Sequence, residues 1–153
     1  MRKTLSLLLV SIICLGMFGC SGSKSTTTVC KLGEGTMNES TITLNAKGDK
    51  VTSAEYLYVV NYASYGYTDE QMLTSIDQGK AEYADVAGVN YDARISDGIL
   101  HETVSIDYDK ADMAQLVSKR IVVSVDGKTP AFVGLKVTVD ELTSKNGASC
   151  TEK

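Results

Sequence analysis

Glu102 stands out among the residues that could do chemistry, because strict alternation along Ile99 to Tyr108 sets its carboxylate on the apolar side, between Leu100 and Val104. A carboxylate carried into an apolar layer is either paired or holds its proton more tightly, and such groups gather at functional sites. Arg94 on the preceding strand could reach it where a bulge or twist breaks the alternation. With an aspartate at the right separation, Glu102 would supply the carboxylate pair that glycoside hydrolysis requires. The plainer reading is an edge position leaning to solvent, or a structural ion pair.

His101, the only histidine, falls on the opposite side of the same strand with Thr103, Ser105 and Asp107, the wetter face. As a general base it would need a nucleophile and an orienting acid, and no nucleophile elbow places a serine for it. It reads as an ordinary strand residue. Asp107, Asp109 and Asp112 resemble the opening of a calcium loop, since closely spaced hard oxygens suit that ion. Yet Asp112 occupies the sixth place, where such a loop needs glycine, and Ser118 stands where the glutamate at the twelfth should be. Helix capping by Asp109, with Asp112 in the first turn, accounts for these acids without a metal. No motif calls for a metal or a cofactor.

The tyrosines cluster more tightly than any other chemical group. Tyr56, Tyr58, Tyr62, Tyr65 and Tyr67 lie on one long strand and the loop after it, and Tyr56, Tyr58 and Tyr62 share a strand face. A flat row of phenols stacks on sugars or anchors a protein interface. These five residues are the candidate binding surface. The alternative is that the face is core, since tyrosine also suits a pleated sheet.

The elements that must position these groups are legible in the periodicity. Ile42, Leu44 and Ala46 alternate with polar residues, Lys47-Gly48-Asp49 turns the chain, and a longer strand runs from Lys50 to about Tyr62. Thr68 and Gln71 form a capping box ahead of Met72, Leu73, Ile76 and Tyr83 at helical spacing. Val89 to Ile95 and Ile99 to Tyr108 make a hairpin around Ser96-Asp97-Gly98. Asp109 then caps a short helix with Met113, Leu116 and Val117 inward. Ile121 to Val125 has strand character, and Leu135, Val139 and Leu142 predict a helix from about Gly134 that ends near Lys145-Asn146-Gly147.

The chain opens with Arg2 and Lys3, an apolar stretch from Leu5 to Phe18, and Gly19 before Cys20. That reads as a bacterial lipoprotein signal, with an apolar stretch too short to span a hydrocarbon core, which takes roughly 20 helical residues. Residues 1–19 are then a signal peptide, Cys20 the lipidation site, and 20–28 a lipidated polar tether. The expected address is the extracytoplasmic face of the cell membrane, held through a lipid on Cys20. Cys14 leaves with the leader, so Cys30 and Cys150 remain as a pair that should bridge in an oxidising envelope and close the first strand on the C-terminal tail. Two inert thiols or a metal pair are the alternatives. Loss of Arg2 and Lys3 takes the formal charge from -4 to -6, which argues against a nucleic-acid partner.

A family pattern covers nearly the whole mature chain. Ala87-Gly88-Val89-Asn90-Tyr91, the turn Asp97-Gly98, and the run Glu102 to Asp112 (ETVSIDYDKAD) resemble the YehR-like bacterial lipoproteins. Phe132, Leu135, Val139, Leu142, Gly147 and Cys150 agree with that family's aromatic, helical stripe, glycine stop and cysteine. The sequence departs from the pattern between Arg120 and Pro130. The resemblance implies an α+β fold over 29–153, a curved antiparallel sheet packed against two or three helices in a single domain, and it brings no catalytic residues. The expected function is a noncatalytic envelope binding or accessory protein, whose partner is an envelope protein or a cell-wall ligand. An envelope hydrolase acting through a carboxylate pair is the alternative.

Overall fold

The computed structural model describes residues 24–153. The leader 1–19 and Cys20 lie outside the described residues. Six strands form one antiparallel sheet: β1 (Ser25–Leu32), β2 (Asn38–Lys47), β3 (Lys50–Asn61), β4 (Val89–Ser96), β5 (Ile99–Asp107) and β6 (Ser149–Glu152). Their order across the sheet is β4-β5-β3-β2-β1-β6. Three α-helices accompany it, α1 (Asp69–Tyr83), α2 (Met113–Ser118) and α3 (Leu135–Ser144). Ser25 to Thr28, expected within a polar tether, instead belong to β1 and pair with β2. Threonines suit a pleated ladder, and this one lies along Ala46 and Leu44.

Alternation decides which side of the sheet is covered. Cys30, Ile42, Tyr56, Val104 and Tyr91 stand in one row across five strands, and Thr28, Leu44, Ala54, Ile106 and Val89 in the next. These rows form the core, into which α1 sends Tyr83, α2 sends Leu116 and α3 sends Leu142. Burying one such side chain stabilises by roughly 1.5–3 kcal/mol, which fixes register because a one-residue slip would turn every row to water.

Local signals explain most element ends. Thr68 Oγ1 accepts from the Gln71 N–H at 3.3 Å and the Gln71 side chain accepts from the Thr68 N–H at 2.9 Å, the reciprocal cap of α1. Asp97 and Gly98 both have positive φ, 52° and 77°, as the two-residue turn between β4 and β5 requires. The cap of α2 differs from expectation. Asp112, not Asp109, accepts from the Ala114 N–H at 2.8 Å, while Asp109 meets Lys50 Nζ at 2.6 Å. Helix α2 starts later than the sequence suggests, so the second acid sits at its first free N–H.

The strand expected at Ile121 to Val125 is absent as well. Ile121 and Val122 are buried in the core, but Val125 pairs only with Lys128 around a turn at Asp126-Gly127. Their apolar character satisfies packing under the sheet without a ladder. Helix α3 starts where predicted, anchored from afar: the Leu135 N–H donates to the Asp49 carbonyl at 2.7 Å and the Lys136 N–H to its carboxylate at 2.8 Å. The β2–β3 turn thus supplies the helix with its cap.

Candidate functional site on the helix-free face

The sequence candidates separate onto the two faces of the sheet. Tyr56 and Tyr62 are 6% and 2% exposed. Tyr58 is half-buried and packs against the core. The shared tyrosine face is therefore turned inward, which corrects the expectation that it forms a binding surface: the same phase that aligns these phenols also aligns Ala54 with Val104 and Ile106 beneath the helices. The Tyr62 hydroxyl reaches out to Asp69 at 2.7 Å, and this hydrogen bond, with burial, pushes the phenol up to about 12. Tyr65 alone of the five is a large exposed group, 51% accessible, and its hydroxyl accepts from Asn38 Nδ2 at 2.9 Å. Tyr67 is half-buried on the same loop.

Glu102 lies inward as its alternation predicted, 6% exposed. Its direct neighbours across the sheet are Tyr58 on β3 and Ala93 on β4. Arg94 pairs instead with His101, so it points to the other face and does not meet Glu102. Burial raises the Glu102 carboxyl above the usual range, and a hydrogen bond from the Tyr91 hydroxyl offsets part of that. Tyr91 stacks on Tyr83 of α1 with ring centroids 5.4 Å apart. Burial pushes Tyr83 up to about 12, and Tyr58 and Tyr91 higher still. Gly79 makes this packing possible, since a Cβ there would stand 2.6 Å from the Tyr91 ring. The second carboxylate that a hydrolase needs is not opposite Glu102, whose surroundings are phenols.

Asp107 at the end of β5 and the two aspartates after it are each committed to a different partner. Asp107 pairs with Lys110 at 2.6 Å, which lowers its carboxyl, Asp109 takes Lys50, and Asp112 caps α2. Cys30 and Cys150 stand directly opposite each other on β1 and β6 and are joined by a disulfide with S–S 2.03 Å.

The other face of the sheet carries no residue of the helix-packed core. Across it run rows such as Lys31, Thr41, Leu57, Thr103 and Asp92, and Val29, Thr43, Glu55, Ser105 and Asn90. Hydroxyls and amides bind one another between strands: Thr27 Oγ1 donates to Asn45 Oδ1 at 2.8 Å, and Asn45 Nδ2 to Ser53 Oγ at 3.0 Å. His101 lies here, half-exposed, between Val59 and Arg94.

At one end of this face the chain folds into a wall. The loop 33–37 is pinned by the Thr36 hydroxyl, which shares its one proton between the carbonyls of Gly33 (2.7 Å) and Asn38 (2.8 Å), and by the Asn61 N–H donating to the Met37 carbonyl at 2.8 Å. Gly33 takes φ +67°, and a Cβ on it would meet the Asn38 carbonyl at 2.1 Å, so only glycine fits. Between this loop and the sheet lies an open hollow of ≈ 560 Å³ lined by Gly35, Thr36, Met37, Glu39, Val59, Asn61 and Ile99. Sequence reasoning missed it. Its signal was the glycine pair in Gly33-Glu34-Gly35, together with the apolar Leu57, Val59 and Ile99 in the polar phase of their strands.

Residues 28–147 match the family described as "Protein of unknown function (DUF1307)". The chain belongs to this family. The "Uncharacterized lipoprotein YehR" of Escherichia coli (strain K12) is 30% identical to this DUF1307 chain over 116 residues, spanning 75% of it and 74% of that protein. The NMR structure of the E. coli YehR protein superposes with a TM-score of 0.62 at 24% identity, covering 86% of this chain and 94% of that one. An NMR structure of a protein from Streptococcus pneumoniae TIGR4 shares the fold with a TM-score of 0.54 at 15% identity, covering 91% and 93%. The resemblance read from the hairpin and the tail is thereby shown, and with it the α+β fold. The family and this relative carry no described activity.

Proposed function

We propose that this DUF1307 protein is a noncatalytic binding or accessory protein, held at the extracytoplasmic face of the membrane by a lipid on Cys20, and that it engages an envelope partner through the helix-free face of its sheet. The observation that carries the reading is the contrast between the sheet's two sides: one is filled by Tyr83, Leu116 and Leu142 of the helices, while the other presents rows of threonine, serine and asparagine with isolated apolar groups. A rigid, hydrogen-bonded surface of that kind binds at low entropic cost. The leader and the lipoprotein name of the E. coli relative support the lipid. The Cys30–Cys150 bond fits an oxidising compartment.

Crosslinking on intact cells tests the face. A partner recovered with the native protein and lost with Thr43→Arg, a substitution in the middle of the outer face, is the expected result. Recovery of the same partner by the variant overturns the assignment to this surface. Mass spectrometry of the membrane-extracted protein should find a diacylated Cys20 at the mature N-terminus, and an unmodified terminus would remove the anchor.

A further inference from the structure

We propose that the hollow between the 33–37 loop and the ends of β3 and β5 binds an apolar group carrying a cationic amine. The inference rests on the helix-free face being the binding face, and adds the chemistry of what it takes. The hollow's volume, ≈ 560 Å³, lies within the about 300–1,000 Å³ of small-ligand sites. Its apolar lining is Val59, Ile99 and Met37, and Met37 is 53% exposed, one of three large hydrophobic side chains so exposed among the described residues. A second of the three, Tyr65, is tied by its hydroxyl to Asn38, the residue after Met37. Asn38 stands in the inward phase of β2, so Tyr65 lies outside the lining and Met37 is the exposed apolar group at the hollow itself. Methionine adapts its shape to an apolar guest.

Charge selects the guest's other end. Glu39 is the one charged residue of the lining, and no base accompanies it. Its Oε1 accepts from the Gly35 N–H at 2.8 Å, which holds the carboxylate against the loop. Lys31, which also feels Glu39, is held by Glu34 at 2.7 Å. Asn61 fixes the opposite side, its Oδ1 accepting from the Ser64 N–H at 3.1 Å so that the amide NH2 is directed by a set geometry. An ammonium against Glu39, with a short apolar body over Val59 and Ile99, matches this arrangement, whereas an anion would meet the carboxylate; the nearest bases, Lys31 and, along the row of Val59, His101 and Arg94, stand outside the lining.

The probes are n-hexylammonium, n-hexanol and hexanoate, titrated into the disulfide-intact domain and followed by backbone amide shifts. Hexylammonium should move Gly35, Thr36 and Asn61 and bind about threefold more tightly than hexanol, the size of an exposed ion pair, with hexanoate weakest. Glu39→Gln keeps the acceptor for Gly35 and should abolish the preference of amine over alcohol. Val59→Arg should abolish binding of both. A capped Leu-Lys dipeptide separates two sources of the amine: tighter binding than hexylammonium assigns it to a partner's side chain, weaker binding to a free small ligand. Equal binding of the three probes, a preference that survives Glu39→Gln, or shifts confined to other residues overturns the proposal. If those results appear while Thr43→Arg still loses the crosslinked partner, the face reading stands and the hollow's chemistry alone has failed.

Discussion

Tyr56 and Leu57 are neighbours in β3, yet the first is 6% exposed beneath the helices and the second half-exposed on the opposite side. The two faces of this sheet differ in what a substitution means. Inward positions carry stability, and even the one carboxylate among them, Glu102, is surrounded by phenols. Outward positions carry little packing and are free to carry recognition. The aromatic residues that looked like a contact surface belong to the first class, and a methionine, a valine and a glutamate that looked unremarkable belong to the second.

The largest expected effect lies at the sheet's edge. Reduction of Cys30–Cys150, or Cys150→Ala, should destabilise the domain by about 2–5 kcal/mol in urea unfolding. A smaller loss would show that β6 is held by its ladder alone. Next come paired substitutions across β2. Ile42→Ala empties a fully buried site and should cost about 2–5 kcal/mol. Thr43→Ala, one residue away and facing out, should stay within about 0.5 kcal/mol. Similar losses at both would end the distinction between the faces.

Asp112→Ala should lose about 1 kcal/mol with the cap of α2, whereas Asp109→Ala, which removes an exposed pair with Lys50, should lose less than about 0.5. The reverse order in thermal melts would restore the cap to Asp109. The smallest effect has the opposite sign. Burial raises the Glu102 carboxyl, so the folded chain binds its proton more tightly than the unfolded chain. Stability from this group is complete below the ordinary carboxylate value of about 4.3 and falls as pH rises from there through the raised folded value. Glu102→Gln, which still accepts from Tyr91, should therefore melt higher than wild type at pH 7 and equally at pH 4. A variant that melts lower at pH 7 would mean that the ionised carboxylate is held by the fold.

What could be read from the sequence was local. The Thr68 and Gln71 cap, the Asp97-Gly98 turn and the start of α3 near Gly134 follow from a few adjacent residues, and the structure holds all three. The inward place of Glu102 followed from alternation alone. Alternation cannot say which face the helices will cover when both phases of a strand are apolar, as in Tyr56-Leu57-Tyr58-Val59, and that is why the tyrosine surface was misplaced. Ile121 and Val122 were misread for a related reason: burial was correctly signalled, but a loop under the sheet satisfies it as well as a strand does. The anchoring of α3 by Asp49 joins residues 87 positions apart, and no short pattern contains it.

The disulfide has a consequence in time as well as in strength. Cys150 follows Cys30 by 120 positions, and its strand is the last of the six. Because a chain is made from its N-terminus, β1 must wait beside β2, one edge open, until every other element has emerged. The bond cannot close on a partial product. Oxidation can therefore follow the arrival of β6 and never precede it, and a chain cut short before Cys150 would be distinguishable by the free thiol of Cys30.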